Sequence, residues 1–454
     1  MFQTLKNAWK IPELKSKILF TLMIIVVYRL GANLPMPWID TDAIQSIVGA
    51  GGALTWLNTL SGNAMAQGTL FALSVSPYIT ASIVIQLLTI AIPVFERWSK
   101  EGESGKKKLS MATRITTAIL ALVTAIGYTL LLETQNALVV SSSSKWIWFV
   151  RIVLVLTYCA GASVIMWLAE RINEKGIGNG ISIILFAGII SRLPQMIGSL
   201  WTRCFTRWDA FATNDNWRLI QWPIGGLLVA LFLGVLLGAT VAVIWFSNSE
   251  RRIPVQYAKR VVGRKMYGGQ SSTLPLKLDM AGVMPVIFAS SIVSILPTVA
   301  GFFPSKPWAT WINDYLGHTS FPYIAMQIIL IVAFAYFYIA ISFNPVEVSN
   351  NLRNNGGAIP GIRPGKPTVD YIKKILNRIT LLGAIFLCGL SGLPMIVNAI
   401  WIAVESAMGA VNPVGISELA FGGTSLLIVV GVALETFREL EAQMTLRNYK
   451  GFLD

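Results

Sequence analysis

The segment whose residue types most invite a chemical reading is Lys175-Gly176-Ile177-Gly178-Asn179-Gly180-Ile181-Ser182, where closely spaced glycines could let the backbone approach a phosphate. A nucleotide loop of that kind follows a strand and is trailed by an acidic ribose ligand, whereas here a long apolar run precedes it and no such acid is placed beyond. A tight turn, with glycines supplying positive φ and close helix approach, fits the segment better. Gly365-Lys366 also fails as a phosphate loop, because Pro360 stands where the first glycine belongs and Pro367 follows the lysine. His318 is the only histidine, which excludes a multi-histidine metal site and histidine acid-base chemistry inside an apolar interior. Cys159, Cys204 and Cys388 are odd in number and far apart, giving neither a disulfide framework nor a ligand spacing; they read as packing residues. No cofactor, metal or enzymatic activity is expected.

The elements that carry these residues belong to a lipid solvent. The 454 residues are 54% hydrophobic and 13% charged, with a mean hydropathy of +0.63. Ten apolar runs can be marked at 18–34, 73–95, 112–132, 147–168, 181–197, 224–246, 281–302, 323–343, 379–397 and 422–436. Most are long enough, at about 1.5 Å per residue, to cross a hydrocarbon core of about 30 Å; the last is short. Lys6, Lys10, Lys15 and Lys17 before the first run give it the look of a signal peptide, but it is long and no small-residue cleavage site follows, so it reads as a retained span. Within the central portions of these runs Asp and Glu are almost missing. A proton-coupled transporter or an intramembrane aspartyl protease needs such groups there, and both classes are disfavoured. Arg29, near the outer end of the first run, reads as a snorkelling or carbonyl-bonding anchor. Gly234 and Gly238, four apart in the sixth run, suit close helix packing.

Charge sets the orientation. Of the 36 Lys and Arg, all but Arg29, Lys145, Arg151, Arg192, Arg203, Arg207, Arg218 and Lys306 fall on the side of the N-terminal tail, so both termini are expected in the cytoplasm. The formal net charge of +14 is therefore a topology signal before it is a nucleic-acid signal. Two cytoplasmic loops, 247–280 and 344–378, are too long for simple connections and rich in Gly, Pro and Arg; they read as docking surfaces. Residues 56–71, broken by Ser61, Gly62, Asn63 and Gly68, are too short to span, and suit either a re-entrant segment buried in protein or an external amphipathic loop. The second run carries Pro77, where a helix begins or kinks, then Thr80, Ser82 and Gln86, polar groups suited to helix contacts or to a wall that water reaches.

Several motifs in order along nearly the whole chain resemble the SecY family. They are Ser76-Pro77-Tyr78-Ile79-Thr80-Ala81-Ser82 with Gln86-Leu87-Leu88, Glu101-Gly102-Glu103-Ser104-Gly105, and Lys175 to Ser182 followed by Phe186-Ala187-Gly188. Later come Gln256-Tyr257-Ala258-Lys259-Arg260 with Gly263-Arg264, Pro275-Leu276-Lys277 and Phe288-Ala289-Ser290-Ser291. Pro360-Gly361-Ile362-Arg363-Pro364-Gly365 and Phe421-Gly422-Gly423-Thr424-Ser425-Leu426-Leu427-Ile428 complete the set. The resemblance implies an all-α membrane protein of ten spans in two inverted five-helix halves, residues 1–200 and 201–454, enclosing a polypeptide-conducting pore.

Matched residue by residue, it implies an aliphatic constriction at Val75, Ile79, Leu185, Ile287, Val293 and Ile428. It implies a plug around Leu57, Leu60, Ser61, Gly62, Asn63 and Met65, and a lateral gate bordered by Thr80, Ser82, Gln86, Ser290 and Ser291. A ring of branched aliphatic side chains offers an ion no replacement for its hydration shell. Asn63 stands where the family usually has a second glycine, and 199–222 is unusually rich in Trp and Arg. The partners implied are small SecE- and SecG-like membrane subunits, the SecA ATPase motor, a translating ribosome with its ribosomal RNA, signal sequences and nascent chains, and the lipid bilayer. Lys259, Arg260, Arg264 and Arg363 are the expected partner contacts, in a multi-pass protein of the cytoplasmic membrane.

Overall fold

The computed structural model describes residues 6, 8–49, 58, 61–140, 145–201, 218–257, 260–262, 265–267, 271–303, 306–316, 320–407 and 423–450. In chain order the first half contributes α1 (Pro12–Ala32), α2 (Thr41–Gly49), α3 (Ser76–Ala91), α4 (Pro93–Lys100), α5 (Glu103–Thr134), α6 (Ile147–Lys175), α7 (Gly180–Ile190) and α8 (Leu193–Trp201). The second contributes α9 (Arg218–Asn248), strands β1 (Glu250–Tyr257), β2 (Arg260–Val262), β3 (Lys265–Tyr267) and β4 (Ser271–Lys277), then α10 (Met284–Gly301), α11 (Pro307–Leu316), α12 (Phe321–Ser342), α13 (Pro345–Asn354), β5 (Gly357–Ala358), α14 (Lys366–Ala407) and α15 (Gly423–Lys450).

Each of the ten expected runs is occupied by helix. Among the described residues seven helices are long and apolar enough to cross a membrane, or eight if α3 and α4 count as one bent span. The helices on the first and last runs, α1 and α15, fall outside that group; α1 carries Lys15, Lys17 and Arg29, and α15 carries Glu435, Arg438, Glu439 and Glu441. The ten-span reading is consistent with this architecture. Large apolar side chains such as Leu237, Val241, Trp245 and Ile329 point outward from it, as side chains facing lipid do.

Two prolines shape the second run. The sequence reading starts it at 73; the helix starts at Ser76, because Pro77 in its first turn lacks the N–H that a helix start leaves unpaired anyway. At the other end Pro93 forces Ile92 into extended backbone (φ −118°, ψ 120°), and α4 leaves α3 at 99°. The turn between α6 and α7 is the tight one expected from its glycines. Asn179 caps α7 by accepting from the Ile181 and Ser182 amides, and a Cβ on Gly180 would fall 2.0 Å from the Ala169 carbonyl oxygen.

The two long basic loops add β-structure to the helical reading. β4, β1 and β5 form an antiparallel sheet in that order, with Glu250 opposite Lys277 at the root and Gln256 opposite Ala358 at the far end. Ile253 and Val255 alternate inward along β1 while Arg252, Pro254 and Gln256 face out. Ile253 and Leu276 pack with Ile339 of α12 and Ile372, Leu376 and Ile379 of α14, so the sheet rests on the ends of two membrane helices.

Candidate functional site

The described part of the expected plug, Asn58 and residues from Ser61 onward, is a turn-rich segment held by its own polar groups. Asn58 is buried and acts as the hub. Its Nδ2 donates to Asn63 Oδ1 at 3.0 Å, its Oδ1 accepts from the Ala66 amide at 2.9 Å, and its carbonyl accepts from the Asn63 amide and the Ser61 hydroxyl, each at 3.0 Å. The Ser61 hydroxyl accepts in turn from the Met65 amide. Asn63 sits at φ +76°, a left-handed conformation that Asn tolerates better than other side-chain-bearing residues, so it replaces a glycine there and adds the bond to Asn58. Leu57 and Leu60 lie outside the described residues.

The segment is seated by close backbone approach. Gly62 has φ +66°, and a Cβ there would fall 2.5 Å from the Gly188 carbonyl oxygen and 2.9 Å from Arg29 Nη1. Tyr128 of α5 donates its hydroxyl to the Met65 carbonyl at 2.8 Å, and Tyr28 of α1 reaches the Ser61 carbonyl at 3.4 Å. Phe71 stacks on Tyr28, fitting into the space left by Gly31. Sequence reasoning missed Asn58, Tyr28 and Tyr128; Gly188 was visible only as part of a motif.

Val75, Ile79, Leu185, Ile287 and Ile428 are buried members of one continuous apolar cluster, to which α3, α7, α10 and α15 each contribute. Ala64, from the turn-rich segment, belongs to it too. Val293 is buried but lies outside that cluster. Five of the six expected constriction residues are thus brought together and the sixth is not.

The expected gate residues lie on α3 and α10, which pack against each other. Their polar groups bond locally. The Thr80 hydroxyl donates to the Ser76 carbonyl, Gln86 donates to Ser82 Oγ, and the Ser290 hydroxyl donates to the Val286 and Ile287 carbonyls. Ser291 is half-buried, its carbonyl accepting from the Ser294 hydroxyl. Among the described residues none of these side chains bonds across to the opposite helix. Serine and threonine bonded back to their own helix spend their hydroxyl proton there and do not donate to a neighbouring helix.

Away from the apolar cluster, β1 and β5 join the two long loops into one platform. Arg363 is exposed in a turn whose Gly361 and Gly365 both take positive φ. Its own carbonyl accepts from the Thr368 hydroxyl, and the Gly365 carbonyl accepts from Ser349. Arg260 lies on β2; Lys259 and Arg264 lie outside the described residues.

Comparison with known proteins agrees with this geometry. The family model described as SecY matches residues 69–437. The protein translocase subunit SecY of Streptomyces griseus is 43% identical over 465 residues, covering 100% of both chains, and that of Bacillus subtilis is 40% identical over 455 residues, again covering 100% of both. A solved structure of a protein conducting channel superposes with a TM-score of 0.60 at 16% identity, over 95% of this chain and 92% of the other. Sec61 from a canine ribosome-channel complex superposes with a TM-score of 0.55, also at 16% identity, with the same coverage of each chain. With a family match across most of its length and full-length relatives at this identity, the chain belongs to the SecY family and is a channel subunit of a protein translocase.

Proposed function

We propose that this subunit is the pore itself, conducting unfolded secretory polypeptides across the cytoplasmic membrane and releasing hydrophobic segments sideways into the bilayer between α3 and α10. The observation that carries this reading is the aliphatic cluster of Val75, Ile79, Leu185, Ile287 and Ile428 with a self-bonded segment seated beside it. The cluster can exclude ions when closed and part around a chain of any sequence, because it makes no directional bonds. It performs no covalent chemistry, so the protein is a conduit and not an enzyme. The two halves, 1–200 and 201–454, are read as inverted repeats that hinge around it.

The work of transport comes from a partner seated on the cytoplasmic platform. Lys259, Arg260, Arg264 and Arg363 suit either the acidic surface of an ATPase motor of the SecA kind or ribosomal RNA phosphates, the latter with a steep salt dependence. Small SecE- and SecG-like subunits complete the assembly in the bilayer, and signal sequences on nascent chains open it. The experiment is ATP-driven protection of a secretory precursor from protease in proteoliposomes. Wild-type complex with motor is expected to protect it, and Arg363→Glu to lose at least tenfold of that activity at wild-type abundance. Normal protection by the variant overturns the docking role, and no protection by the wild type overturns conduction.

The same reading places both termini in the cytoplasm. In cysteine-free protein, cysteines introduced at Lys107, Lys259 and Lys366 are expected to resist a membrane-impermeant thiol reagent added to intact cells. Those at Gln45, Asp215 and Ser320 should react. Labelling of the first group from outside would reverse the topology.

A further inference from the structure

The end of α9 forms a polar node with residues from two other parts of the chain. Arg438, on α15, donates through Nη2 to the Ser247 carbonyl at 2.6 Å and to Asn248 Oδ1 at 2.9 Å. The Ser247 hydroxyl donates to Asp279 Oδ2 at 3.2 Å, and the Leu278 amide donates to the Ser249 carbonyl at 2.9 Å. Burial pushes the Asp279 carboxyl above the usual carboxylate range, while its bonds to Ser247 and the Gly282 amide, with Arg438 and Lys277 nearby, pull it back down.

The position of this node matters more than its strength. The last carbonyls of a helix lack intrahelical partners and carry the negative end of its dipole, so a guanidinium is well suited to them. Here that guanidinium comes from another membrane helix. β1 begins two residues after Asn248, and the first strand pair, Glu250 with Lys277, is the root of the cytoplasmic hairpin. On the other side, Ile428 lies ten residues before Arg438 on α15, about 15 Å along the helix axis, and belongs to the apolar cluster. Arg438 therefore fastens the hairpin root to a helix whose far end helps form the seal.

We propose that Arg438 is a positioning residue that couples the cytoplasmic hairpin to the pore, so that a load on the hairpin shifts α15 and loosens the aliphatic cluster. This rests on the reading that the platform docks the motor. A plain helix cap would contribute stability without carrying motion between the two ends.

The test begins without any partner. In full-length protein with Cys159, Cys204 and Cys388 changed to serine, spin labels are attached at Thr273→Cys on the hairpin and Glu441→Cys on α15. Distances are read by pulsed electron resonance in lipid nanodiscs. A single narrow distribution is expected, at least doubling in width in Arg438→Gln and only slightly in Arg438→Lys, which keeps the charge. Asn248→Ala, which removes one acceptor, should broaden it to an intermediate extent and serves if Arg438→Gln accumulates poorly. With motor added, Arg438→Gln should bind it within twofold of wild type yet lose at least tenfold in precursor protection. A distribution as narrow as wild type in both Gln and Ala variants overturns the clasp. Broadening with normal protection overturns the transmission. Failure of the wild type to bind motor would instead indict the docking reading and leave the distance result standing as the judge of the clasp.

Discussion

Replacing Ile79 or Ile428 with Asn is expected to make the closed channel conduct ions. Both side chains are buried in the shared cluster, where an amide finds no partner built for it. A buried polar group left unpaired costs about 1–3 kcal/mol, which corresponds to roughly a 5- to 150-fold shift toward hydrated, open states. The same shift lowers what an incoming signal must supply, so export of a precursor with a weakened signal sequence should rise. Leu or Val at either position keeps the surface dry and should do neither. Conductance in planar bilayers, beside an export assay with the weakened signal, measures both halves. Asn variants as tight as wild type would make these ordinary packing residues and move the seal elsewhere.

Gly62→Val should have an effect of similar size by a different route. At φ +66° an L side chain is strained by about 1–2 kcal/mol, more when β-branched. The added Cβ would also meet the Gly188 oxygen at 2.5 Å, a backbone atom that cannot rotate away. The segment must then leave its seat, and steady leak conductance with faster opening is expected. Asn63→Gly makes the contrast. It keeps the backbone conformation and loses one hydrogen bond to Asn58, worth about 1 kcal/mol, so its leak should be several-fold smaller. Equal conductance in the two variants would show that the internal clasp, and not the seat, holds the closed state.

What was legible in the sequence follows from how each feature is written there. The spans were legible because lipid demands long apolar runs, and a helix lies on each of the ten. The bend after α3 needed only Pro93, which was read inside a span. The sheet of β4, β1 and β5 was half legible: Arg252 to Gln256 does alternate, but Pro254 in β1 and Pro275 in β4 argue against strands when viewed singly. Their pairing opposite Thr273 and Arg252 becomes apparent only once the hairpin closes. Val293 was legible by motif and residue type as a buried apolar residue of α10, but whether it packs with the cluster that holds Ile287 depends on tertiary contacts that no motif writes down. Arg438 was illegible for another reason. Its acceptors are a backbone carbonyl and an asparagine about 190 positions away, so no opposite charge at helical spacing announced it.

The local bonding of Thr80, Ser82, Gln86 and Ser290 has a consequence for how substrates are chosen. On the proposed reading of α3 and α10 as the gate, a wall with no side-chain bond across it among the described residues has no lock to match; it yields to any incoming helix that offers comparable area and the lipid behind it. Choice at such a wall is a weighing, in which total greasiness counts and the order of residues does not. Export signals for this channel should then share a threshold and a length, with no letter common to all of them.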